Sequence, residues 1–133
     1  AVGTLTIPST AENVISLAAY DSSLTAYADF SGRGSQYLPI QKPDLVAPGV
    51  SITAPTPGGS YTTVTGTSFA APFVSGSAAL LMEWGIVKGN DPFLYGEKVK
   101  AYLRRGAQRV GGYEEYPNVE VGWGRLCLTS SLL

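Results

Sequence analysis

The chain has 133 residues, room for one ordinary domain but not for two. It is 44% hydrophobic and 14% charged, with a formal net charge of −1 and an isoelectric point near 5.3, so it lacks the basic footprint of a nucleic-acid or anionic-membrane binder. Its single cysteine, Cys127, excludes an internal disulfide and a cysteine-based zinc site.

The opening "AVGTLTIPST" has neither the basic flank nor the apolar core of a secretory signal, so Ala1 reads as a cut rather than a natural start. A turn over Pro8 to Asn13 precedes a buried strand expected over Val14 to Tyr20. "LTAYADFSG" reads as a second strand closed by Gly32 and Gly34. Asp44 to Ala47 and Val50 to Ala54 are short strands separated by the Pro48-Gly49 turn. "SYTTVTG" is β-branched and leads into a helix expected from Ser68 to Trp84.

That helix leaves almost no polar face, and such a helix is expected to be buried on all sides. Even so, no apolar run reaches the ~18 residues that a membrane span requires. Asn90-Asp91-Pro92 signals the start of a second helix. Val99, Tyr102, Leu103 and Ala107 share one face of it, and Lys98, Lys100, Arg104 and Arg105 are read as solvation and dipole compensation. "VEVGWGRLCL" resumes strand character after Gly111-Gly112, with Cys127 as a small buried hydrophobe. Glu114 and Glu115 read as a solvated loop. Strands, a buried helix, an amphipathic helix and a last strand make a layered α/β arrangement.

The stretch "TGTSFAAPFVSG" raises a chemical question, because Ser68 stands at the mouth of the apolar helix in a chain with no histidine. Gly-Thr-Ser before a helix is an ordinary N-cap. A serine on the first turn after a strand also has an exposed hydroxyl, beside unpaired backbone donors and the positive end of the helix dipole. That setting suits a nucleophile and a developing oxyanion, although the G-x-S-x-G pattern is absent. Pro72 lacks the N–H that would bond the Ser68 carbonyl, which loosens the first turn.

"KPDLVAPGVSI" followed by "GTSFAAPFVSGSAALL" resembles the C-terminal half of the subtilisin-like serine proteases, the subtilases. "ENVISLAAYD", "TAYADFSGRG" and the closing "GWGRL" match in order. Phe73 stands where many members carry a histidine that is not the catalytic base. "ALLMEWGIVKGNDPFLYGEKVKAYLRRGA" and "TLTIPSTAENVI" look more narrowly like the clostridial Csp-type subtilases linked to spore germination.

The resemblance implies a mostly parallel sheet with helices on both faces, incomplete without an upstream half. By the same resemblance Ser68 is the nucleophile and one oxyanion donor, with Thr67 in support. Thr6 lies by the pocket for the side chain preceding the scissile bond. The family's chain order of Asp, His, Ser places the missing His, Asp and oxyanion Asn upstream of Ala1. Asp29 and Asp44 fall on structural positions of the family.

No organic cofactor is implied. Backbone carbonyls around Ser9, Ala11 and Val14 resemble a weak site for a structural cation such as calcium or sodium. The implied partners are the upstream half of the same protease, a protein or peptide substrate and a pro-segment. The chain is expected to be inert alone, and ordered only beside that half, with a long strand left unpaired. The alternative is a pseudoprotease, in which the fold serves as a protein-binding scaffold. The compartment is not fixed, with a bacterial spore or the exterior as settings that the resemblance suggests.

Overall fold

The structure, a computed structural model, describes residues 3–132. Strands β1 (Leu17–Asp21), β2 (Ala26–Tyr27) and β3 (Leu45–Pro48) form a sheet in the order β2-β1-β3. β1 and β3 run parallel, with Leu17 opposite Leu45 and Tyr20 opposite Pro48, whereas β2 is antiparallel to β1. β4 (Ile52–Thr56) and β5 (Ser60–Val64) make a separate antiparallel hairpin. The helices are α1 (Thr67–Met82), which continues as a π-helical turn over Glu83–Val87, α2 (Gly96–Arg105) and the short α3 (Leu128–Ser131).

The alternation of side chains along a strand divides the core into two layers. Ala19, Leu45 and Ala47 face the helical side and pack with Ala70, Val74, Leu81, Val99 and Leu103. Ala18, Tyr20 and Val46 face the other way and pack with Val110 and Val121. The fold is therefore α/β as expected. Among the described residues, however, the helices cover one face, and irregular backbone around Val110 and Val121 covers the other. Residues 28–31 lie along the outer edge of β1, where Ala28 N donates to Ala19 O at 3.1 Å and Ala19 N to Ser31 Oγ at 2.8 Å. That edge is thus partly engaged rather than left bare.

Several expectations need correction. α1 is not buried all round among the described residues. Ala70, Val74 and Leu81 are buried, but Leu80 is 53% and Met82 43% exposed. Thr67–Val87 is, by length and hydropathy, apolar enough to cross a bilayer, contrary to the expectation that no run is. It packs on β1 and β3, but only 22% of its most apolar window is buried among the described residues.

α2 begins at Gly96 rather than at Asn90-Asp91-Pro92. Asn90 donates its side-chain amide to Trp84 O at 2.8 Å, and Asp91 accepts from Lys98 and Tyr102, so both polar side chains brace a turn. The final strand is reduced to isolated bridges of Arg125 with Val46 and Gln108, where Leu126 N donates to Val46 O at 2.9 Å. Cys127 is half-buried rather than buried. Glu114 and Glu115 lie exposed, as expected of a solvated loop.

Of the basic residues of α2, Arg105 is exposed as expected and Arg104 and Arg105 lie in the last turn, but Lys100 and Arg104 are drawn to a buried partner. Lys98 pairs with Asp91 at 2.6 Å, while Lys100 and Arg104 reach the fully buried Asp44. Arg104 also stacks over Trp123, its guanidinium carbon 5.7 Å from the ring centre. These contacts tie α2 to the start of β3, 60 residues earlier in the chain.

Candidate active site

The chain passes from β5 into α1 through Thr65 and Gly66. Gly66 adopts φ 156° and ψ 159°, a region open essentially only to glycine. Its N–H donates to Gly49 O at 2.8 Å, which draws the helix entrance against the end of β3. Glycine is required at 49 as well, because a Cβ there would lie 2.6 Å from that of Ala19. Two close backbone approaches therefore set the position and direction of the first turn of α1.

The N-cap of α1 is Gly66, and no side chain caps the helix. Ser68 is the second helical residue, is exposed, and has no hydrogen-bond partner among the described residues. The ordinary capping role is thus excluded. The first turn of this 16-residue helix carries no acidic side chain, so its dipole and free N–H groups face the space around Ser68 uncompensated. Pro72 is accommodated inside α1, which runs unbroken past it.

Thr6, Pro8, Ser9, Val14 to Leu17, Thr67, Ser68 and Ala71 line a cleft of about 370 Å³. A second hollow of about 520 Å³ shares Thr6, Ser9, Leu17 and Thr67 with it and extends to Asp29, Phe30 and Arg33. Ser68, Thr67 and Thr6, 62 positions apart at the extremes, are therefore brought to one continuous surface. None of the residues lining the cleft at Ser68 is titratable. Asp29 borders only the further hollow. Asp44 is fully buried and occupied by Lys42, Lys100 and Arg104. Neither carboxylate serves Ser68.

At the far wall of the hollow, Arg33 donates to Glu120 at 2.8 Å and lies over the Tyr27 ring. Tyr113 also donates to Glu120, and burial together with that carboxylate pushes the Tyr113 phenol well up from its ordinary value. The hydrogen bonds from Tyr113 and Arg33 hold the Glu120 carboxyl below the usual range, against the effect of burial. This network braces the wall.

Sequence reasoning missed the buried cluster around Asp44. The only signal for it was the Lys42-Pro43-Asp44 entry to a strand of otherwise apolar residues, opposite two cations one helical turn apart.

A free serine hydroxyl at a strand-to-helix turn, at the edge of an α/β core, is the arrangement of nucleophilic hydrolases. The sequence profile of the Subtilase family matches residues 1–124, and the chain belongs to that family. It is similar to the serine protease AprX of Bacillus subtilis, 32% identical over 136 aligned positions that cover 87% of this chain and 29% of the relative. Subtilisin Savinase of Lederbergia lenta is 31% identical over 86% of this chain and 38% of its own length. The solved structure of the Clostridium perfringens CspB protease superposes with a TM-score of 0.93 at 48% identity, covering 98% of this chain and 28% of that one. This chain spans less than two fifths of the length of each of these three relatives.

Proposed function

We propose that residues 1–133 form the C-terminal part of a subtilase catalytic domain, not a complete domain, and supply Ser68 as the nucleophile of a serine endopeptidase. The observation that carries this reading is an exposed, unpartnered serine hydroxyl on the first turn of a long helix, in a cleft with no titratable group. A serine is a weak nucleophile until a positioned base takes its proton. In this reading His, Asp and an oxyanion Asn come from the upstream half of the same protease.

Ser68 Oγ attacks the scissile carbonyl of a protein or peptide as its proton passes to that histidine. The Ser68 N–H stabilises the resulting oxyanion, with Thr67 shaping its flank. Collapse expels the amine, which takes the proton from histidine, and water then hydrolyses the acyl-enzyme. Thr6 lies by the hollow that receives the substrate side chain before the cleaved bond. The exposed Leu80 and Met82 side of α1 fits burial against the upstream half. Likeness to the CspB protease supports a place among the Csp-type subtilases, with spore germination as the proposed setting.

A fluorophosphonate probe tests the assignment on the complete protein with any pro-segment removed. Label on Ser68, lost in Ser68→Ala, is the expected result. A folded complete protein that takes no label would instead support the scaffold role of a pseudoprotease.

A further inference from the structure

Where the loop before β1, the entry to β3 and the inner face of α2 meet, cationic side chains converge on backbone carbonyls. Lys42 Nζ donates to Val14 O at 2.7 Å and to Asp44 Oδ2 at 2.8 Å. Lys100 Nζ donates to Glu12 O at 2.7 Å and Val14 O at 3.0 Å, and lies 3.3 Å from Asp44 Oδ1. The side chains of Lys42, Asp44 and Lys100 are 1%, 0% and 12% exposed. Two main-chain carbonyls and a carboxylate are a donor set that a hard cation would take, and Val14 belongs to the carbonyl set expected to hold a structural ion.

The residues present do not fit an added ion. Both ammonium groups bond the Val14 carbonyl, whose oxygen has two lone pairs. Asp44 Oδ2 also accepts from the Ser16 N–H at 2.8 Å, and Oδ1 accepts from Arg104. A metal ion at Val14 would meet two ammonium charges within a few ångströms, with one carboxylate already shared among three cations.

We propose that the ammonium groups of Lys100 and Lys42 stand in the place of a bound metal ion at the Glu12–Val14 carbonyls. The charge is covalently held, so the junction needs no free cation. Because Lys100 belongs to α2 and Glu12 to the loop that carries Thr6, Ser9 and Val14, this contact also fastens one wall of the Ser68 cleft to a helix. The inference rests on these contacts and not on the role of Ser68.

Trp123 lines the same cavity as Lys42 and Lys100 and can sensitise the emission of terbium, a calcium-sized luminescent ion. In the complete protein, terbium emission should be the same in wild type and Trp123→Phe, since no ion enters here. In Lys42→Glu/Lys100→Met, which restores carbonyls and adds a carboxylate, saturable emission should appear and disappear on adding Trp123→Phe. The melting temperature of the double variant should also rise more with calcium than that of wild type. Emission in wild type that Trp123→Phe removes would overturn the proposal, and so would a folded double variant that takes up no terbium. If the double variant does not fold, the wild-type comparison decides alone.

Discussion

Ser68→Ala in the complete polypeptide should lower kcat for peptide hydrolysis by on the order of 10⁶-fold, the scale measured for the equivalent loss in subtilisin itself. KM should change little, since the hydroxyl adds almost nothing to ground-state binding. The melting temperature should stay within about 2 °C, because the side chain is exposed and bonds nothing among the described residues. The combination is diagnostic. A capping serine would have lowered stability and left hydrolysis intact. Steady-state kinetics on a fluorogenic peptide beside a thermal melt gives both numbers, and a loss below about 10²-fold would remove Ser68 from the centre of the chemistry.

The largest effect on stability is expected at Asp44. Removing one partner of a buried ion pair strands the others, at a cost of about 3–5 kcal/mol. Asp44→Asn would leave Lys42, Lys100 and Arg104 without their shared negative charge. Denaturant melts of the complete protein should show this loss at neutral pH, and an unchanged midpoint would refute it.

A pH series adds a second signature. Burial by itself would raise the Asp44 pKa, but hydrogen bonds from Lys42, Ser16 and Arg104 hold it below its ordinary value of 3.8. A depressed carboxyl stabilises the fold above its unfolded pKa, and that contribution fades as pH falls through the folded value. The wild type should therefore lose its advantage over Asp44→Asn only below about pH 4.

Local patterns made part of this fold legible. The β-branched run before Gly66 and the apolar stretch after it located β5 and α1, whose observed start is one residue before the expected Ser68. Pro48-Gly49 separated β3 from β4 as expected. Failures arose where distant partners decide. Asn90 and Asp91 have the chemistry of a helix start, yet Trp84 O and Lys98 claim their side chains. Val119 to Leu128 has strand composition, but Gln108 and Val46 bridge it only at Arg125. A basic helix face ordinarily meets water, and nothing near α2 in sequence announced Asp44 beneath it.

The site divides the same way. Ser68 and Thr67 are neighbours and their motif is local. Thr6 was placed beside them only through the family resemblance, and the shared cleft gives that placement a physical form. The apolar residues of α1 predicted burial that the described residues alone do not provide.

An atomic structure of the complete polypeptide tests the account most directly, read at the distance from Ser68 Oγ to the nearest imidazole nitrogen. A histidine from the preceding segment should lie within about 3 Å, with a carboxylate on its other nitrogen. A Ser68 hydroxyl walled off from any imidazole, in a fully ordered and mature protein, would contradict it.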